Sequence, residues 1–313
     1  MAEPKVSVCM PCYNRQDYVG QAIESVLAQS FSDFELLIAD NCSEDNTAKI
    51  AQEYAAKDQR ITFIQNPRNI GICSSLNSLL LKAKGQYIKF CFSDDLLAPE
   101  CLKVFVGIMD KNPDVSLITS FSKFIGDSSE IRGESFFPGV GLLDGEKYQK
   151  DLLINGNWVG NMSCVMIRHK DLHIGLFSHI LRYWSGDHEM WMRLLGLGDA
   201  YVVPEILSFI RSHKGQESSI HAVDFRLITE RLILTDMAFQ FPHIYGEYTR
   251  KEKRNMQYHL LKRLVREGYG RGGLKAKIKM LEIGLSDLNK RRFVFLLLLI
   301  KNFHRLFQRG RWS

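Results

Sequence analysis

No apolar run in this 313-residue chain approaches the ~20 residues needed to cross a bilayer; the strongest, Phe293 to Ile300 (FVFLLLLI), is eight long. No charged-then-apolar leader precedes the first strand-like stretch, Val6 to Met10, so no signal peptide is expected. The seven cysteines contain one Cys-x-x-Cys pair, Cys9 and Cys12, and a zinc ribbon needs two. A redox pair opens a helix, whereas Cys9 lies inside a strand; reduced, mostly buried thiols in a cytoplasmic protein are expected. No Gly-x-Gly-x-x-Gly follows the first strand, which argues against a dinucleotide-binding oxidoreductase. Internal repeats and low-complexity segments are also missing.

What is present is ordinary globular composition, 45% hydrophobic and 24% charged. The net charge of +6 conceals an asymmetry: residues 250–313 carry 18 Lys/Arg against 4 Asp/Glu, and residues 1–249 are net −8. The two parts of the chain therefore face different electrostatic partners.

The first half alternates strand and helix. Strands are read at Val6–Met10, Phe34–Ala39, Ile61–Ile64, Tyr87–Phe92 and Val115–Ser120, with helices at Gln16–Gln29, Glu44–Ala56, Ile72–Lys82 and Pro99–Met109. This pattern predicts a Rossmann-like α/β fold, a mostly parallel sheet flanked by helices. Residues 121–160 read as irregular, Asn161–Arg168 as a strand, Asp187–Leu197 as a helix, and Tyr201–Val203 and Ile206–Arg211 as short strands. From Asp224 onward the pattern is helical. Two units are expected, a catalytic domain over 1–222 and a helical, basic extension over 223–313.

Three strand ends carry polar clusters: Pro11-Cys12-Tyr13-Asn14, Asp40-Asn41-Cys42-Ser43 and Ser93-Asp94-Asp95. Parallel strands point their carboxyl ends to one rim, so the clusters should meet along one crevice, where open α/β sheets bind ligands. Adjacent carboxylates leaving a buried strand are costly to desolvate without a positive partner. A divalent cation holding a diphosphate satisfies both acids. Asp40 is suited to accept from a base ring N–H and Tyr13 to stack on the base. Asp45 and Asn46 read as helix-capping residues.

These residues carry a resemblance. VSVCMPCYNRQDYVGQAIESVLAQSFSDFELLIADNCSEDNT, NPRNIGICSSLN, YIKFCFSDDLLAP and SGDHEMWMRLLGLG followed by FIRSHKGQESS resemble, in order, the family-two glycosyltransferases with the GT-A fold. The likeness spans about residues 5–220. It implies inverting transfer of a sugar from a nucleotide-sugar donor, UDP by default, with Mn²⁺ or Mg²⁺. Tyr13 and Asp40 match base-holding positions; Asp94 and Asp95 match the metal-diphosphate motif, with Asp95 the expected direct ligand. Many relatives carry a further acid two positions before the pair, where this chain has Phe92, so metal binding is less redundantly supplied.

An attacking acceptor hydroxyl needs a base. In Trp184-Ser185-Gly186-Asp187-His188-Glu189, helical geometry puts Glu189 about 200° around from Asp187 and four residues before Arg193, an ordinary ion pair. Asp187 is left to face the crevice, and the resemblance makes the same choice of base. Arg211 and His213 follow a strand and are expected at phosphate or metal. Arg68 and Asn69 precede a helix whose positive end helps hold phosphate. Trp158, Asn161 and Trp184 are candidates for lining an acceptor pocket.

Beyond Ile300 the tail is amphipathic, with Phe303, Leu306 and Phe307 on one face and Lys301, Arg305 and Arg309 on the other. Lys290-Arg291-Arg292 precede it, and such a helix suits an anionic membrane surface. No nucleic-acid motif appears, and a core or homodimer helix is the structural alternative. The expectation is a cytoplasmic enzyme, peripheral at the inner face of the cytoplasmic membrane, that extends a saccharide or lipid-linked saccharide in polysaccharide or lipopolysaccharide synthesis. The rivals are a nucleotidyltransferase, whose glycine-rich basic loop PCYNRQDY does not supply, and a catalytically silent sugar-nucleotide-binding scaffold.

Overall fold

Val8 and Met10 face one way and Cys9 the other, and Leu36 and Ile38 oppose Leu37 and Ala39 in the same manner. Both sets are buried, which is why these strands read as unbroken apolar runs. The computed structural model describes residues 3–254 apart from 136, 138, 179–180, 182–184 and 214–225. Its strands are β1 (Val6–Cys12), β2 (Phe34–Asp40), β3 (Ile61–Gln65), β4 (Tyr87–Phe90), β5 (Leu96–Leu97), β6 (Val115–Ile125), β7 (Ile131–Glu134), β8 (Gly141–Leu143), β9 (Val165–Arg168) and β10 (Asp199–Arg211). Its helices are α1 (Val19–Leu27), α2 (Thr47–Ala55), α3 (Ile72–Leu80), α4 (Cys101–Lys111), α5 (Gly145–Asn155), α6 (Gly186–Leu195), α7 (Arg226–Gln240) and α8 (Pro242–Tyr245).

One sheet runs in the order β3-β2-β1-β4-β9-β6-β10-β5, with β7 on β6 and β8 on β10. Residues of α1, α2 and α4 fill one face, and residues of α3, α5, α6 and α7 fill the other. The expected α/β layering is present, and β3, β2, β1 and β4 are parallel. The second half departs from the expected parallel run. β9 lies antiparallel between β4 and β6, while β10 returns parallel to β6. The two short strands expected near 201–211 are one strand. Its register slips between Val203 and Ser208, around Pro204, which cannot donate to a ladder.

The segment expected to be irregular contains the β6–β7 hairpin, β8 and α5. Leu234, Ala238, Tyr245 and Tyr248, beyond the expected boundary at 222, are buried in the same core as α3 and α6. Residues 255–313, with the basic amphipathic tail, lie outside the described residues. No helix of the described residues is long and apolar enough to cross a membrane.

Candidate active site

Register brings the strand ends level: Cys12 pairs with Asp40, and Asp40 with Gln65. Asn14 and Cys42 just beyond have left-handed backbones, with φ of 51° and 64°. Asparagine tolerates this conformation, and such departures cluster where a ligand is held. The two turns are stitched together. Asn14 N donates to Ser43 Oγ at 2.9 Å, and Glu44 N donates to Asn14 Oδ1 at 2.9 Å. Ser43 Oγ and N both donate to Asp40, at 2.5 and 3.0 Å. Asp40 is fully buried, Pro11 is buried, and Tyr13 and Asn14 are half-buried.

The third strand end joins through amides. Asn41 Oδ1 accepts from Asn66 Nδ2 and Ile70 N, and Asn41 Nδ2 donates to Asn69 Oδ1 at 2.9 Å. Arg68 lies in this loop, exposed. At the start of α2 Asp45 accepts from Thr47 N at 2.9 Å, whereas Asn46, at the cap position itself, makes no side-chain cap bond.

At the fourth strand end the paired acids part company. Asp94 Oδ2 lies 3.0 Å from His213 Nε2 and 3.2 Å from Arg15 Nε. Burial opposes its ionisation, but the His213 hydrogen bond and the Arg15 charge prevail and hold its carboxyl below the usual range. Asp95, expected as the direct metal ligand, is 1% exposed, and both its oxygens are engaged by the chain itself. Ser163 Oγ donates to one at 2.5 Å and Arg211 N to the other at 2.9 Å. Burial, with the Asp94 charge second, raises its pKa well above the ordinary value. Asp94 thus lies beside Arg15 and His213, and Asp95 is held by Ser163 and the backbone of Arg211.

Arg211, expected at donor phosphates, is 0% exposed. Its guanidinium donates to the carbonyls of Asp94, Gly126 and Asp127, to Ser129 Oγ and to Gln21 Oε1. It lies 4.9 Å over the Tyr18 ring, whose other neighbour is His213 at 5.0 Å. Tyr18 also donates to Asp127 at 2.8 Å. Arg211 is therefore the clamp that holds the β6–β7 turn against α1, with His213 beside it.

The second acid is on α6. Asp187 Oδ2 accepts from Asn157 Nδ2 at 2.9 Å and Oδ1 from His188 N at 2.7 Å. Burial pushes its pKa up to about 6, against those hydrogen bonds and with help from the Glu230 charge. Glu189 points away, paired with Arg193 at 2.6 and 2.9 Å and accepting from Tyr245 OH at 2.6 Å, as its spacing predicts. One loop joins the two acids: Asn157 at its start holds Asp187 and Ser163 at its end holds Asp95. Trp158 in this loop is half-buried with its ring edge-on to Tyr148, and Asn161 caps the turn through Ser163 N. Trp184 lies outside the described residues.

Among the described residues no three His, Cys, Asp or Glu side chains converge as a cation cage. Asp94 Oδ2 and His213 Nε2 supply an oxygen and a nitrogen, which fit a Mn²⁺ completed by diphosphate oxygens and water. Arg15, Asn157 and Ser163 were not singled out from the sequence. Arg15 followed directly on the marked Asn14, but Asn157 and Ser163 act across 30 and 68 positions.

A family model described as Glycosyl transferase family 2 matches residues 7–177. A putative colanic acid biosynthesis glycosyl transferase, WcaA of Escherichia coli, is 40% identical over 219 residues, 68% of this chain and 74% of that one. Two other curated relatives match over less, the chain spanning 49% and 47% of their lengths. Among solved structures, Staphylococcus aureus TarS 1–349 with UDP-GlcNAc has a TM-score of 0.57 at 19% identity, covering 86% of this chain and 82% of that one. Mannosyltransferase PcManGT from Pyrobaculum calidifontis with GDP-Man and Mn²⁺ has a TM-score of 0.55 at 14% identity, covering 95% and 84%. At such identities these two likenesses show the fold.

Proposed function

The chain belongs to glycosyl transferase family 2, and on that premise we propose that it moves a sugar from a nucleotide-diphosphate donor onto a saccharide, with inversion, in cell-surface polysaccharide synthesis. The observation that carries the reading is the single loop from Asn157 to Ser163, which bonds to Asp187 at one end and to Asp95 at the other. One acid belongs to the donor and the other to the acceptor.

Tyr13 and Asp40 take the base, with Pro11, Asn14 and Ser43 shaping the turn. Asp94 and His213 hold a divalent cation, which when bound neutralises the departing diphosphate; Asp95 and Arg211 hold the strand exits that present them. Arg15 and Arg68 border the same rim as phosphate partners. Asp187 accepts the proton of the acceptor hydroxyl as its oxygen attacks the anomeric carbon and the carbon–diphosphate bond breaks. A pKa near 6 leaves Asp187 ionised at neutral pH and close enough to it to act as a base.

UDP is the favoured carrier, supported by the UDP-GlcNAc complex of TarS, with the GDP-Man complex of PcManGT as the competing precedent. The acceptor is a saccharide or lipid-linked saccharide. The basic tail docks the enzyme on an anionic membrane surface and is a candidate for homodimer contact; deleting 288–313 should shift the protein from the membrane to the soluble fraction.

The test is thermal unfolding with UDP, dTDP, GDP and CMP, each with and without Mn²⁺. A ligand at a hundredfold excess over its Kd stabilises by about 2.7 kcal/mol. A Mn²⁺-dependent rise with one diphosphate, lost in Asp94→Ala, is expected. No rise with any nucleotide would leave a silent scaffold of the same fold as the better reading.

A further inference from the structure

Asn157 Oδ1 is shielded from solvent and has no hydrogen-bond partner among the described residues. Which end of the amide is oxygen is decided by its neighbours. Nδ2 lies 2.9 Å from Asp187 Oδ2 and 3.4 Å from the Gly160 carbonyl, and both are acceptors. Turning the amide over would set oxygen against oxygen at both positions. The unpaired atom is therefore an acceptor, held beside the acid that faces the acceptor sugar.

The loop keeps it there. Gly156, at φ 97°, ends α5, and Gly160, at φ 90°, bends the chain back. Thr119 Oγ1 donates to the Val159 carbonyl at 2.9 Å from β6 below. Beyond that, Ser163 is buried between β4 and β10, with Phe92 N donating to its hydroxyl and Ser208 Oγ to its carbonyl. A buried acceptor without a partner costs about 1–3 kcal/mol, so a fold that pins one next to a reacting carboxylate wastes stability unless a donor arrives. The donors that arrive at a glycosyl acceptor site are hydroxyls.

We propose that Asn157 is a positioning and recognition residue for the acceptor: its amide N–H fixes the Asp187 carboxylate, and its unpaired Oδ1 accepts from a hydroxyl next to the one that attacks. Asp187 and Asn157 together then read two neighbouring hydroxyls, and the acceptor class is a pyranose with a free vicinal diol. This rests on the reading of Asp187 as the base.

The amide clamp is tested without substrate. In the full chain labelled with ¹³C at aspartate carboxyls, the Asp187 signal is assigned by its loss in Asp187→Asn and followed through pH. Glu230, on α7, also faces this carboxyl and stays in every variant. Asn157→Ala is expected to move the midpoint upward, and Asn157→Asp, which keeps the shape, further upward. An unchanged midpoint in Asn157→Asp overturns the clamp even if Asn157→Ala fails to fold.

The hydroxyl contact is tested by saturation-transfer NMR with methyl pyranosides and their monodeoxy forms. In the wild type, saturation should centre on two adjacent ring positions and fall several-fold when either hydroxyl is removed. Asn157→Ala, which removes the accepting oxygen, should abolish the dependence on one of them. Saturation that does not change in the variant, or none with any glycoside, overturns the recognition role. If Asp187→Asn retained sugar transfer while the midpoint still moved in Asn157→Asp, the base assignment would fail and the clamp would stand.

Discussion

His213 Nε2 stands 3.0 Å from Asp94 Oδ2, although 119 positions separate the two residues. The pair forms because β10 runs back alongside β6 and ends beside the turn that leaves β4. A carboxylate oxygen and an imidazole nitrogen thus meet at the rim of the sheet, a pair that neither strand supplies alone.

The two neighbouring acids should fail differently. Asp94→Ala should remove the Mn²⁺-dependent part of nucleotide stabilisation, and in the unliganded protein it also removes the carboxylate shared by Arg15 and His213. Asp95→Ala leaves Ser163 Oγ and Arg211 N without their acceptor and should cost about 1–3 kcal/mol in urea unfolding. Equal loss of metal response in both variants, at equal stability, would refute this division.

Asp187 sets a pH limb. As the proposed base it must be ionised for transfer, so on that reading kcat/KM should rise through pH about 6 and level off above it. Asp187→Asn should lose about 10²- to 10⁴-fold in transfer while binding the donor nucleotide unchanged.

The same group affects stability with the opposite sign to a salt-bridged acid. Its folded pKa is about 6 against an unfolded value of 3.8, so the native state holds the extra proton between them. Its contribution is therefore present at low pH and is lost as pH rises from about 4 through about 6. Comparing urea midpoints of wild type and Asp187→Asn at pH 4.5 and 7.5 checks this: the variant should gain relative stability at the higher pH.

Glu189 is the internal control for the α6 acids. Its carboxylate pairs with Arg193, whose guanidinium also reaches the carbonyls of Ile174, Gly175 and Leu176. Glu189→Gln weakens a buried pair and should cost up to about 3–5 kcal/mol in urea unfolding. Nucleotide binding by the molecules that remain folded should be unaltered.

Arg211→Lys should not substitute for arginine. An ammonium cannot span carbonyls at Asp94, Gly126 and Asp127 together with Gln21. The variant should unfold at least ~2 kcal/mol earlier and be cut faster by protease within residues 126–130.

The strand exits were legible in the sequence because they are local. An apolar run ending in Asp40 or Asp94 names its own position, and the parallel order then gathers the ends. Glu189 and Arg193 were legible for the same reason, lying one helical turn apart. Ser163, Asn157 and the clamping role of Arg211 were not, because each acts on a residue brought close only by tertiary packing. Nothing in VMIR announces that β9 lies antiparallel between β4 and β6, since a strand buried on both faces looks the same in either direction. The resemblance singles out Asp95 of the acidic pair; that Asp94 is 7% exposed and Asp95 1% comes from tertiary packing, which two adjacent letters do not show.

β9 has a mechanical consequence. Bonded to β4 on one edge and β6 on the other, it makes the strands that end at Cys12, Asp40 and Phe90 and the strand that leads to His213 parts of a single sheet. Domain closure of the hinge kind needs a seam across which few hydrogen bonds run, and this sheet has none there among its described residues. On the proposed function, donor and acceptor are then expected to enter and leave by movements of loops over one continuous sheet.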